Sequence, residues 1–120
     1  MIKVVTLLFK KPDLTKDEFR DYYENHHRKL GEKYLAPHAL KYVRRYPILT
    51  GDDADAPEFD VMMEVWFESY HAMEAAMGEM TTDAAQAELS TDEARLFDRD
   101  RTQSFIVDEF ESDLENAYCA

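Results

Sequence analysis

Residues 15–30, TKDEFRDYYENHHRKL, hold the pattern on which the fold turns. Thr15 and Glu18 read as a capping box: the threonine oxygen can accept from the Glu18 amide while the glutamate reaches back to the Thr15 amide, satisfying donors that a helix start leaves without partners. From there Phe19, Tyr22, Tyr23, His26, His27 and Leu30 recur at three- and four-residue spacing, and Lys16, Asp17, Arg20, Asp21, Glu24 and Arg28 fall largely on the other side. That is an amphipathic helix with one face for a core. Gly31 offers a C-terminal stop, so the spacing predicts a helix over 15–30. Two adjacent histidines lie on or beside its buried stripe, where a polar ring needs a reason to be.

On either side of this helix the period changes. Residues 2–9, IKVVTLLF, are β-branched and apolar, which predicts a strand buried on both faces. Residues 40–49, LKYVRRYPIL, set Tyr42, Arg44, Tyr46 and Ile48 against Lys41, Val43, Arg45 and Pro47, the alternation of a half-exposed strand with its proline at an end or edge. An acidic Gly/Asp/Pro loop over 50–58 follows, then a third strand over 59–67, FDVMMEVWF, with Val61, Met63, Val65 and Phe67 on one face and Asp60, Met62, Glu64 and Trp66 on the other. Ser69 caps a second helix to about residue 80, striped by Met73, Ala76, Met77 and Met80. A helical patch over 82–89, a second capping box of Ser90 with Glu93 before a short turn, and a strand over 102–110 complete the chain.

The order β-α-β-β-α-β is that of a ferredoxin-like α+β domain, a four-stranded antiparallel sheet with both long helices on one face. Residues 1–120 read as a single domain of this kind, long enough to bury a core without disulfides. The other sheet face then needs cover. With Trp66, Met62, Tyr42 and Tyr46 assigned to it, a monomer would expose a large apolar patch, so a homodimer with two facing sheets is expected.

Charge narrows the partners. The net charge is −12: residues 1–50 hold 11 Lys/Arg against six Asp/Glu, and residues 51–120 hold three against 20. Such a surface repels nucleic acid and anionic membranes, and no apolar run reaches the roughly 20 residues that span a bilayer. A cytoplasmic protein is expected, its one cysteine, Cys119, an incidental thiol. No calcium-loop spacing appears among the acids.

Several stretches together resemble the EthD family of dimeric α+β barrel proteins. They are KVVTLLFKKPDLT at the first strand, the Phe19, Tyr23, His27 steps of the helix, LKYVRRY, FDVMMEVWFES before the second helix, and DEARLF before the last strand. The resemblance covers nearly the whole chain. It departs at Tyr23, where a tryptophan is common, and at Arg28 and Lys29, where a small residue and proline are usual. It implies a pocket between sheet and helices of each subunit, used without a cofactor for dehydration, cyclisation, decarboxylation or isomerisation of small hydrophobic, aromatic or lactone-like molecules. Members differ in which of two neighbouring helix positions carries the histidine, which leaves His26 and His27 both open.

The residue chemistry fits such work. Histidine titrates near neutral pH, and a buried carboxylate can fix its tautomer, so His27 with Glu64 is the expected proton-transfer pair; a buried pair that only orders the core is the competing reading. Adjacent helix residues diverge by about 100°, so only one histidine can point squarely inward; His27 is favoured and His26 placed at the margin. The same divergence argues against a metal site. His38 and His71 are expected to face solvent or a hydrogen bond. Tyr22, Tyr23, Tyr42, Tyr46 and Trp66 are candidates to line a substrate pocket, though such residues are mostly core. A small-molecule binding or accessory protein, or a cofactor-free oxygenase of quinol-like substrates, are the alternative functions; haem ligation by either helix histidine is a weaker one.

Overall fold

The computed structural model describes residues 1–49, 51 and 56–117. Thr50 and residues 52–55 of the acidic loop, and the C-terminal residues with Cys119, lie outside the described residues.

Strand β1 (Ile2–Leu8) leads into one long helix in three parts: α1 (Lys16–Tyr22), a π-helical turn (Tyr23–His27) and α2 (Arg28–Leu35). Then come β2 (Ala39–Arg45), β3 (Val61–Phe67), α3 (Tyr70–Met80), α4 (Asp83–Leu96), a single 3-10 turn (Arg99–Arg101) and β4 (Gln103–Val107). The strands lie in the order β2-β3-β1-β4 with every neighbour antiparallel, the ferredoxin-like α+β arrangement. Side chains set the helix starts. The Thr15 oxygen accepts from the Glu18 amide at 3.1 Å while Glu18 accepts from the Thr15 amide at 3.0 Å, and Ser69 and Thr82 cap α3 and α4.

Two of these elements differ from expectation. The first helix does not stop at Gly31 but runs on to Leu35. The glycine answers a close approach: a Cβ there would lie 2.9 Å from Cε2 of Tyr42, so β2 can cross α2 only where no side chain intervenes. The second difference is α4, which is continuous from Asp83, so Ser90 sits inside it and the Ser90–Glu93 box does not form. Ala85, Leu89, Asp92 and Leu96 are buried along one face of that helix, which gives it a reason to continue.

One side of the sheet packs on the helices. Val4 and Leu8 of β1 and Val61, Val65 and Phe67 of β3 are buried there against Phe19, Tyr23, Leu35, Ala76, Leu96 and Phe97. Phe19 keeps 1% of its surface exposed; truncating such a ring to alanine costs about 3–5 kcal/mol.

The register corrects which residues share the other face. Directly opposed residues of an antiparallel pair point the same way. Tyr42 opposes Val65 and Arg44 opposes Met63 on the helix side, while Lys41 opposes Trp66, Val43 opposes Glu64 and Arg45 opposes Met62 on the open side. Tyr42 and Tyr46 therefore do not join Trp66 and Met62: the alternation within each strand holds, but a register shift between Ala39 and Lys41 sets the strands' relative phase. The open face carries a charged lattice. Lys3 and Lys41 lie over the Trp66 ring at 3.8 and 4.3 Å, and Arg45 pairs with Glu64. The Trp66 indole nitrogen is buried with no hydrogen-bond partner among the described residues.

Candidate functional site

The π-helical turn sets the site. Its wider winding interrupts the α-helix where four of five side chains are titratable or aromatic, a kind of bulge found often at functional positions. Tyr23 and His27 turn inward, and His26 is left exposed, stacked near Tyr22 with ring centres 4.9 Å apart. The His27 ring keeps 7% exposure and is held edge-on by Tyr23 and Phe97, with ring centres at 5.0 and 5.1 Å.

His27 finds its carboxylate on α4, not on β3. Its Nδ1 lies 2.8 Å from Oδ2 of Asp92, and the Tyr22 hydroxyl donates to Oδ1 of the same carboxylate. That hydrogen bond, with burial, raises the Tyr22 phenol above its ordinary range, so it stays a donor. A carboxylate can only accept, so the proton on His27 belongs on Nδ1. Nε2 is then the basic nitrogen, and it makes no hydrogen bond among the described residues. Asp92 is itself buried, and a buried ion is tolerable only when its lone pairs are satisfied, as the two donors here achieve.

Glu64 lies on the opposite face of the sheet. Although buried, it pairs with Arg45, so the expected His27–Glu64 pair does not form. Sequence alternation places Glu64 with Met62 and Trp66, and the helices cover the other side. Trp66 shares that far face.

His27 opens on a cavity of about 140 Å³ between the helix side of the sheet and α2, α3 and α4. Val4, Val65, Phe67, Leu35, Met77 and Met80 make its apolar wall, and Thr6, Tyr42, Glu93 and Ser104 add polar groups. Thr6 and Ser104 hydrogen-bond each other at 2.9 Å across β1 and β4. Burial pushes the Tyr42 phenol up to about 12, so at neutral pH it too is a donor. Its oxygen lies 2.7 Å from that of Tyr23, whose phenol burial raises well above the ordinary value. Tyr46 stands behind this wall, donating to Glu24 at 2.7 Å. Arg44 clamps the same Glu24 through two nitrogens, at 2.7 and 3.1 Å, which ties β2 to the π-helical turn and, against the effect of burial, lowers the Glu24 carboxyl below its usual range.

Of the residues singled out from sequence, His27 and Tyr42 line the cavity, Tyr22 and Tyr23 support His27, and Tyr46 buttresses them from behind. His26, Glu64 and Trp66 face elsewhere. Asp92 and Glu93 went unrecognised; the available signal was the continued spacing Ala85, Leu89, Asp92, Leu96, which puts an acid on a buried stripe. Of the other histidines, His38 bonds Glu79 and His71 is exposed. Among the described residues no three His, Cys, Asp or Glu side chains converge as a metal site, and no helix is long and apolar enough to cross a membrane.

The family model of the EthD domain matches residues 11–100. No curated protein matches the chain. Among solved structures, an ethyl tert-butyl ether D (EthD) family protein from Bacillus halodurans C-125 superposes with a TM-score of 0.63 at 21% identity, covering 92% of this chain and 100% of its own. A dimeric ferredoxin-like protein of unknown function from Thermobifida fusca YX gives 0.61 at 13% identity, covering 90% of each chain. An antibiotic biosynthesis monooxygenase gives 0.55 at 20% identity, over 92% of this chain and 100% of its own. At such identities these likenesses speak to the fold.

Proposed function

This chain belongs to the EthD family, and from that premise we propose that it moves protons on a small, largely apolar molecule held between sheet and helices, using its own side chains. Nε2 of His27 is the acid–base group, and Asp92, braced by Tyr22, holds the ring in the tautomer that leaves Nε2 basic. The observation that carries this reading is a buried histidine whose Nδ1 is bonded to a buried carboxylate while its ring borders a mostly apolar cavity. Purely structural histidines need no such opening, and a general base needs both a fixed tautomer and access to substrate. Isomerisation, and those dehydrations and cyclisations that pass through an enol, begin with this proton removal, so they form the reaction class.

The fold supports a second proposal, that two copies pair through their open sheet faces. The buried, unpartnered Trp66 nitrogen and the exposed Phe105 of β4 belong to that face. A partner chain would cover both.

The test uses acetophenone, a one-ring ketone whose methyl hydrogens exchange slowly with deuterium oxide unless enolisation is catalysed. Saturable methyl exchange is expected of the wild type. His27→Ala should lose it by at least about 100-fold when assayed well below that variant's own melting transition, which the loss of a donor to buried Asp92 lowers, and His26→Ala should keep it. Exchange that survives His27→Ala overturns the reading. Saturable binding of acetophenone without exchange in the wild type would instead favour a binding protein.

A further inference from the structure

The cavity holds a second proton-bearing group that nothing above assigns to a reaction. Glu93 follows Asp92 on α4, so the two carboxyls point in different directions: Asp92 anchors Nδ1 of His27, whereas Glu93 borders the cavity itself. Its carboxyl makes no hydrogen bond and no salt bridge among the described residues, in a chain where Glu24, Glu64, Glu79 and Glu88 are all paired. A half-buried carboxyl left without a donor favours its neutral form. The groups that act on it agree with this. Burial raises it above the ordinary carboxylate range and the Asp92 charge adds to the rise, while the nearby charges of His27 and Arg99 oppose it. From β2, Tyr42 is the titratable group on the opposite part of the lining, and it is a neutral phenol.

We propose that Glu93 is the acid that works with the base: its carboxyl, when protonated, gives its proton to the carbonyl oxygen of a one-ring ketone or lactone while Nε2 of His27 removes a proton from the adjacent carbon. The inference rests on the His27 reading above and extends it to a second residue and a substrate class. The step balances without an oxidant or a co-reactant. The C–H electron pair becomes the C=C bond, the carbonyl π pair moves to oxygen, and oxygen takes the Glu93 proton. An enol, a His27 imidazolium and a Glu93 carboxylate result. Return of the His27 proton to the same carbon, or to a vinylogous one, gives exchange or double-bond migration, and Glu93 recovers its proton from the enol hydroxyl. The two residues change charge in opposite senses, so the site's net charge is conserved through the step, which favours it in a water-poor cavity.

Cavity size sets the substrate class. A cavity of about 150 Å³ with aliphatic walls takes up benzene, and this one measures about 140 Å³. One ring with a carbonyl fits, and a fused two-ring skeleton exceeds it unless the methionine wall gives way. A carbonyl suits the lining, since the Glu93 carboxyl can donate to its oxygen when protonated, while Thr6 and Ser104, and Tyr42 and Tyr23, are bonded to each other.

Three measurements with acetophenone test this. In the wild type the carbonyl carbon resonance of bound ¹³C-labelled acetophenone should move downfield, as it does when the oxygen accepts a strong hydrogen bond. Glu93→Gln, which keeps a donor but cannot give up a proton, should retain much of that shift and lose exchange by about 10- to 100-fold; Glu93→Leu should lose both. The bound shift should persist in His27→Ala, which separates the two ideas. Failure of that variant to lose exchange overturns the His27 reading, whereas an unchanged carbonyl shift and exchange rate in Glu93→Leu overturn the Glu93 assignment alone. Binding of 2-acetonaphthone as tight as that of acetophenone, or no saturable binding of acetophenone, overturns the one-ring class.

Discussion

Replacing Asp92 with asparagine tests the orienting role of that residue with almost no change of shape. The carboxylate accepts from two donors, the half-buried Tyr22 hydroxyl and the buried His27 Nδ1. An amide offers one oxygen and one NH₂. The Tyr22 hydroxyl donates to this position and its oxygen has Arg95 as a donor beside it, so the amide oxygen stays with Tyr22 and the NH₂ turns to Nδ1. Nδ1 must then accept, which moves the ring proton to Nε2 and removes the base from the cavity. The stability cost is the loss of one charge-assisted hydrogen bond, about 1.5–3 kcal/mol. The effect on rate is larger: losing a positioned general base costs about 10²- to 10⁴-fold, or about 3–5 kcal/mol of barrier. Acetophenone methyl exchange should be followed by proton NMR well below the melting transition of the variant, so that folding does not enter the rate. In parallel, ¹⁵N shifts of the His27 ring should report the tautomer moving from Nδ1–H to Nε2–H. A folded Asp92→Asn protein that exchanges acetophenone within about threefold of wild type would refute the orienting role.

Other perturbations follow from the same geometry. Gly31→Ala gains about 1 kcal/mol of helix propensity but sets a Cβ 2.9 Å from the Tyr42 ring; overpacking of that kind costs about 1–3 kcal/mol, so melting should stay level or fall while acetophenone affinity drops as Tyr42 is driven into the cavity. Glu93→Gln should change the pH dependence of stability. A carboxyl raised in the folded state contributes stability that is present below its unfolded value and lost as pH rises through the folded one. The variant lacks that loss, so its melting temperature should gain on wild type as pH rises above the ordinary carboxylate range; a difference independent of pH would show that Glu93 is not desolvated. Sedimentation at micromolar concentration should give a dimer, and Phe105→Glu on the exposed part of the open face should give a monomer of unchanged melting cooperativity. A monomeric wild type would remove the proposed pairing.

Much of this was legible in the chain. The cap at Thr15, the alternation of β3 and the Ser69 cap are local signals, and each appears as written. The inward turn of His27 is likewise a matter of helix phase. What failed was non-local. Tyr42 and Trp66 each alternate correctly within their strands, but their relative face depends on a register shift at Ala39 that no pattern within β2 announces. Gly31 carries the signature of a helix end, and only the approach of Tyr42 explains a glycine inside the helix. Glu64 stands out as a partner for His27 because an acid in an apolar strand is conspicuous. Asp92 hides in an acidic stretch, and the Ser90–Glu93 spacing imitates a cap, which disguised both carboxyls nearest the histidine. Local chemistry can be read from spacing, but which face meets which is fixed by packing between distant elements.

The most direct measurement is a crystal structure with acetophenone bound. The account predicts the ring between sheet and helices, its methyl carbon within reach of Nε2 of His27 and its oxygen toward Glu93. Density for the ligand on the far face of the sheet, beside Glu64 and Trp66, with the cavity at His27 left to water, would contradict it.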